Sequence, residues 1–491
     1  MSIGEHQAML DRADRAVGSM AERVRHEKFR NRFHFMAPAG WLNDPNGLIY
    51  YKGRYHMFYQ HNPYAPVWGA MHWGHAVSGD LVHWEHLPIA LAPSESYDDY
   101  EKGGCFSGCA VDNGGVLCLF FTACSEKGQS QCAAAGADGV HFTKYGKNPV
   151  VVSPPDCSPA DFRDPKIWRH GGLWYMIVGT CRNEMGKAVL FRSANLADWD
   201  FAGTICGNDG TLGTMWECPD FFELGGKSIL IFSPIGAEQA GAVFLTGSMR
   251  YEDADFRRES QGCVDHGDFY APQTFLDSRG RRIMIGWLRN TMPRQDLDSL
   301  VRELHWCGSM SIPRIVDLGR DGRLRFTPYD GLRALRRGHA AVREKILTES
   351  KPLPVEAGDG LSYEMTAEFK LSDPGVTEID IVLRASAEER TVVRLDVGAS
   401  EIVLDRTRSD GCRQGNVRCP MERAEDGLLK IHLFVDASAI EIFANSGADV
   451  ISGNIYPASD SRDAWLAVRG GSVTIREMHT WGLSAEADGK G

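Results

Sequence analysis

Three carboxylates stand in settings that ordinary surface acids lack. Asp44 lies within Trp41-Leu42-Asn43-Asp44-Pro45-Asn46-Gly47, Asp164 is flanked by Arg163 and Pro165, and Glu217 sits between Trp216 and the pair Cys218-Pro219. A proline beside an acid interrupts helix and strand ladders, and Asn-Gly adds a turn signal. Asp44 therefore reads as an exposed acid held by a tight turn. Rigidly held acids suit chemistry in which one carboxylate attacks and another carboxyl donates a proton. Asn and Asp also cap their own backbone in plain structural turns, so it is the recurrence of the pattern that points to a site.

The elements that would position these acids repeat. Apolar strand, short turn, apolar strand is the plan starting at Asp44, again at Ser107, at Asp164, at Pro219 and at Ala271. Five copies at a spacing of roughly fifty to sixty residues lie near the upper end of propeller blade lengths. In a propeller the first strand of each blade lines the central channel, so the leading ends of equivalent strands converge on one funnel. The fifth such end, Asp268-Phe269-Tyr270-Ala271-Pro272-Gln273, is polar and aromatic too.

The chain of 491 residues is too long for one ordinary core. Residues 5–28 carry Met9, Ala13, Ala16, Val17, Met20 and Val24 at helical spacing. This helix is expected to pack on the main domain or on a second subunit, which leaves room for a homo-oligomer. A basic, helical connector is read at Gly331-Leu-Arg-Ala-Leu-Arg-Arg and a linker at Lys351-Pro-Leu-Pro, followed by strictly alternating strands that indicate an antiparallel β-sandwich. The expected architecture is all-β: a helical extension over 1–28, a five-bladed β-propeller catalytic domain over 29–338 and a C-terminal β-sandwich over 339–491. The sandwich shows no comparable acid cluster and is assigned to stability and to shaping the surface.

Composition narrows the partners. A net charge of −12 and a pI near 5.8 argue against nucleic acid and anionic membrane. Neither a secretory signal nor an apolar run long enough to span a bilayer is read, so a cytoplasmic location is expected. The thirteen cysteines are odd in number and lack metal-site spacing, which favours reduced, mostly buried thiols and no metal. His72, His75 and His83 read as strand and loop structure.

Sugars offer hydroxyls to amide, arginine and carboxylate side chains and apolar ring faces to aromatic ones, and a carboxyl pair cleaves glycosidic bonds. Glu217, between Trp and Cys-Pro, is expected to be the proton-holding partner because apolar neighbours disfavour its charge. Asp44, among amides and backbone donors, is expected to stay ionised.

The chain resembles glycoside hydrolase family 32, the β-fructofuranosidase family, from about Arg32 to Trp481. The resemblance rests on Trp41-x-Asn43-Asp44-Pro45-Asn46-Gly47, Arg163-Asp164-Pro165 and Glu217-Cys218-Pro219, in order and at blade spacing. Supporting matches include Gln60-His61-Asn62-Pro63, Trp68-Gly69, Phe106-Ser107-Gly108 and Phe269-Tyr270-Ala271-Pro272-Gln273, with Leu404-Asp405-Arg406, Phe434-Val435-Asp436 and Glu441-Ile442-Phe443 in the sandwich. It implies cleavage of terminal fructosyl residues from sucrose, sucrose 6-phosphate or short fructo-oligosaccharides, with no cofactor. Asp44 would be the nucleophile, Glu217 the acid and then base, and Asp164 the transition-state stabiliser, with Arg163 tuning the charge of both neighbouring acids. Trp41, Asn43, Gln60 and Ser107 would contact fructose, and Trp68, Phe106 and Trp287 would shape the walls. Retention of configuration implies Asp44 and Glu217 carboxyls about 5–5.5 Å apart, whereas an inverting relative would need about 6.5–9.5 Å. Fructosyl transfer on the same site and a non-catalytic fructan-binding propeller are the alternatives. Leu288 to Arg294 departs from the family pattern, and Arg289 and Arg294 there are either phosphate contacts or solvated surface.

Overall fold

The computed structural model describes residues 3–207, 210–237, 241–409, 415–424 and 426–485. Five antiparallel sheets follow one another along the chain, and their innermost strands are Gly40–Tyr51, Gly104–Asn113, Phe162–His170, Met215–Leu224 and Phe269–Leu276. Each pairs with the next strand through a tight turn. Gly114-Gly115, Gly171-Gly172 and Gly225-Gly226 close three of these hairpins with both residues at positive φ, the backbone that two-residue hairpins demand. Successive innermost strands pack side by side, and the fifth returns to the first. The result is a closed five-bladed propeller, a radial repetition that leaves only short, protected sheet edges. A short strand from the segment between the second and third strands of the fifth blade, Trp306–Cys307, adds in parallel to Gly40-Trp41 of the first and ties the ring.

The C-terminal region is a sandwich of two six-stranded sheets. Alternation along the strands puts Tyr363, Leu383, Ile442 and Leu466 between the sheets. The sandwich begins with the strand Arg336–Thr348. The helical connector expected before it is only the 3₁₀ segment Asp330–Leu335, where Leu332 and Leu335 anchor the chain in the core before it extends. The expected Pro-containing linker supplies a short sandwich strand, Leu353–Pro354.

Propeller and sandwich share a core that includes Ile312, Phe326, Phe434, Phe443 and Val450. A buried seam of ions runs through it. Arg314 donates to Glu441 Oε2 at 2.6 Å and lies 3.0 Å from Asp265 Oδ2, while His34 lies between Asp436 (2.9 Å) and Glu441 (3.2 Å). The carboxylate of Asp436 also accepts the backbone N–H groups of Arg32, Phe33 and His34 at 2.8, 3.0 and 3.1 Å. Arg406 reaches from the sandwich to Asp268 at 2.6 Å.

The N-terminal helix, Ile3–Arg25, docks on the first blade, with Leu10 and Ala13 against Ile89 and Ala92, and Asp14 accepts the N–H of Ile89 at 2.9 Å. Among the described residues, no helix is long and apolar enough to cross a membrane, and the cysteines form no disulfide.

Candidate active site

The strand register of every blade slips at the same place. The shift falls between Leu42 and Pro45, Cys105 and Gly108, Arg163 and Lys166, Glu217 and Asp220, and Tyr270 and Gln273. Each is a β-bulge, which bends the strand and re-aims the side chains it carries. The bulges present a first tier of Asn43, Phe106, Arg163, Glu217 and Tyr270, and a second of Asp44, Ser107, Asp164, Cys218 and Ala271. Both tiers except Cys218 and Ala271 line one cavity of about 430 Å³, within the range of small-molecule sites.

The bulge explains the prolines. Pro45, Pro165, Pro219 and Pro272 follow the second tier directly, where a missing N–H breaks no ladder bond. Asp164, Cys218 and Ala271 are held at φ of 67°, 48° and 50°, a region that a residue other than glycine keeps only when its surroundings enforce it. The tight turn expected at Asp44 is thus corrected: Gly40–Tyr51 is one bulged strand, and the chain turns at Lys52-Gly53. Asp44 is recessed rather than exposed, because the bulge aims it into the funnel and not outward.

Polar partners separate the three acids. Ser107 Oγ donates to Asp44 Oδ2 at 2.6 Å, and Trp41 Nε1 donates to Asn43 Oδ1 at 2.8 Å. Asp164 Oδ2 accepts the Cys218 N–H at 2.8 Å, while the Asp164 N–H donates to Thr122 Oγ1. The Cys218 thiol lies 3.6 Å from Asp44 Oδ2 and 3.5 Å from Asp164 Oδ2. Burial, with the nearby acids, pushes that thiol up, so it stays a neutral donor shared by the two carboxylates. Glu217 Oε1 accepts from Arg163 Nε and Nη2, both at 3.1 Å, and Glu217 Oε2 accepts from the Tyr270 hydroxyl at 2.6 Å. Arg163 is itself aimed by Asp161 Oδ1 (3.0 Å) and Gln129 Oε1 (3.3 Å).

Arg163 faces Glu217, Asp164 and Asp161. Burial raises Asp164 to about 7; Arg163 opposes the shift, while Glu217 and Asp44 add to it. Burial also raises Asp44, opposed by its bonds from Ser107 and Asn43 and reinforced by Glu217. The expectation of amide and backbone donors around Asp44 is corrected in part: its donors are the side chains of Ser107, Asn43 and Cys218. The apolar setting expected for Glu217 is corrected as well. Trp216 is fully buried, stacked on Phe232 at 3.9 Å, and turns away from the cavity, so the carboxylate sees Arg163 and Tyr270.

Asn43, Gln60, Trp68, Phe106, Ser107, Arg163 and Trp287 all line the cavity with the three acids. Trp68, 56 % exposed, meets Phe106 edge-on at 6.1 Å and forms the outer lip. Trp41 is not among the lining residues; it stands one layer back, holding Asn43 and meeting the Trp287 ring at 5.9 Å. His72 and His75 are buried in the first blade, His75 stacked on Phe58 at 4.0 Å, and neither lines the cavity. Tyr270 is read in the fifth strand end without a role of its own, and Gln129 and Asp161 are not singled out from the sequence. Aligning the repeats on their prolines would have matched Tyr270 to Glu217, whereas Gln129 lies in no repeated motif.

A closed propeller whose bulges gather three acids, an arginine and aromatic walls around a sugar-sized cavity is the scaffold of a glycosidase. Family models for the glycosyl hydrolases family 32 N-terminal domain and C terminal match residues 34–328 and 331–482. The chain belongs to glycoside hydrolase family 32. It is 37 % identical to a sucrose-6-phosphate hydrolase of Zymomonas mobilis, covering 96 % of both chains. It is 34 % identical to a sucrose-6-phosphate hydrolase of Escherichia coli over 97 % of this chain and 99 % of the other. The solved GH32 β-fructofuranosidase of Bombyx mori superposes with a TM-score of 0.82 at 31 % identity, covering 97 % of this chain and 98 % of that one, and a variant of it was solved in complex with sucrose.

Proposed function

We propose that the protein is a retaining β-fructofuranosidase acting on sucrose, sucrose 6-phosphate or short fructo-oligosaccharides. Asp44 attacks C2 of the fructosyl unit while Glu217 gives its proton to the departing glycosidic oxygen, leaving a covalent fructosyl-enzyme. Glu217 then takes a proton from water, whose oxygen attacks C2 and releases Asp44. The observation that carries this reading is that the bulges bring Asp44, Asp164 and Glu217 to one cavity of about 430 Å³ with aromatic walls. Asp44 has neutral donors, Ser107 and Cys218, and Glu217 is held by Arg163 and Tyr270. A carboxyl pair on one sugar-sized cavity is what a retaining glycosidase uses as nucleophile and acid. Asp164, kept partly protonated near neutrality by burial, would hold fructose hydroxyls as positive charge develops at C2. Asn43, Gln60 and Ser107 would contact the fructose, and Trp68, Phe106 and Trp287 would wall the sugar. No cofactor enters the cycle, and the substrate is a small carbohydrate. The division at residues 28 and 338 belongs to the same reading: helix as buttress, propeller as catalyst, sandwich as support. Relatives named for sucrose 6-phosphate and for β-fructofuranosides support it.

Fructose release from sucrose, sucrose 6-phosphate and a short inulin-type oligosaccharide, beside an Asp44→Asn variant, tests the proposal. Release by the parent and loss in the variant is the expected result. Release from none of the three by a folded parent overturns it.

A further inference from the structure

A second arginine stands beside Tyr270, the tyrosine that holds Glu217, and among the described residues no carboxylate pairs with it. The chain leaves the fifth blade at Leu288 and runs through Arg289, Asn290 and Thr291 to the helix Arg294–Glu303. Its course is pinned: the Arg289 N–H donates to Asp268 O at 2.6 Å, Asn454 Nδ2 donates to Arg289 O at 3.2 Å, and Asn290 Nδ2 donates to the Tyr456 hydroxyl at 2.7 Å. The Arg289 guanidinium lies over the Tyr270 ring, 4.4 Å from its centroid. That tyrosine donates to Glu217, so the cation stands one aromatic ring away from the acid.

Arg163, Arg314 and Arg406 all face carboxylates. Among the described residues Arg289 forms no ion pair, because Asp268 next to it is taken by Arg406, Thr291 and Asn454. Arg294 behaves as plain surface, 81 % exposed and paired with Asp298. The two arginines of this segment therefore have different uses.

If Glu217 protonates the departing oxygen, the flank of Glu217 that bears Tyr270 and Arg289 faces the leaving sugar. On that reading, we infer that Arg289 receives the phosphate ester of a phosphorylated leaving group and makes a 6-phosphorylated glucosyl unit a better leaving group than glucose. Guanidinium matches phosphate oxygens two at a time, and the stack on Tyr270 holds it ready before substrate arrives. A chain of net charge −12 repels anions in general, so a doubly charged ester needs a local cation to enter this funnel.

The ratio of kcat/KM on sucrose 6-phosphate to that on sucrose is the readout, in the parent, Arg289→Gln, Arg289→Lys and Arg294→Ala. The parent is expected to favour the phosphorylated sugar. Arg289→Gln should lower the ratio about 10- to 100-fold, mostly through KM, Arg289→Lys should recover part of it, and Arg294→Ala should leave it unchanged. A ratio that stays within twofold in Arg289→Gln overturns the inference. Thermal protection of the parent by glucose 6-phosphate against glucose decides the matter should Arg289→Gln fold poorly or the parent cleave neither sugar. Stronger protection by the phosphate supports the anion site, and equal protection sinks it even where fructose release stands.

Discussion

Two clusters of buried acids lie in this molecule and behave in opposite ways. In the seam, Asp436 and Glu441 face His34 and Arg314, and both are held below the usual carboxylate range, Asp436 at about 2; burial pulls the other way but the bonds and charges of their partners outweigh it. In the funnel, Asp44 and Asp164 line the cavity and are both pushed up, Asp164 to about 7. Only Asp265 in the seam rises, where burial outweighs Arg314. Burial alone does not mark a functional acid. What separates the clusters is whether the positive charge matches the negative, and a paired set stabilises while an under-paired one stores reactivity.

The largest test of that contrast removes charge from the funnel. Asp44→Asn should lower kcat on the order of 10⁴-fold while the melting temperature holds or rises, because a costly buried charge has gone. A clear fall in melting temperature would place Asp44 with the seam instead. Next, Arg314→Met strands Glu441 and Asp265, and should cost about 3–5 kcal/mol in urea unfolding, with activity per folded molecule retained.

The pH dependence should split the same way. His34 is lowered by burial but raised more by Asp436 and Glu441, from 6.5 to about 9; its contribution is full below pH 6.5 and is lost as pH rises through about 9. Asp436 contributes above pH 3.8 and loses its contribution as pH falls through about 2. Asp164 has the reverse sign for an acid: the folded state holds its proton more tightly, so the fold loses stability as pH rises from 3.8 to about 7. Unfolding midpoints measured from pH 4 to 8 should show that slope in the parent and a flatter one in Asp164→Asn; equal slopes would refute the assignment. The smallest effect is expected for Tyr270→Phe, which removes one hydrogen bond to Glu217: about a tenfold drop in kcat with the unfolding curve unmoved.

Much of the funnel was legible because it is written in local sequence. Each blade repeats its strand, turn and strand, and the acids sit next to prolines, so both the ring and its catalytic candidates follow from neighbours in the chain. The bulge was not legible. Asp44-Pro45-Asn46-Gly47 has the composition of a turn, and only pairing with Arg54–Asn62 makes it a strand with a displaced register. The seam was hidden for a different reason. His34 carries no local signal because its partners, Asp436 and Glu441, lie about four hundred positions away. The helix Arg294–Glu303 did carry a signal, Leu297, Leu300, Val301 and Leu304 at helical spacing, in a stretch to which the sequence reading assigns no element.

The grip of Asp436 on the backbone of residues 32–34 also sets an order of events. Those contacts span up to 404 positions, and joining such distant segments is slow because the loop must be closed before any contact rewards it. During synthesis the blades can pair their own strands one after another as each emerges. Residues 32–34, upstream of Asn43 and Asp44, gain their Asp436 contacts only once the sandwich strand that carries that acid has been made. A ribosome that stops after the fifth blade would therefore release a chain whose residues 32–34 lack their Asp436 partner, so the last tie of the segment ahead of the nucleophile arrives with the sandwich.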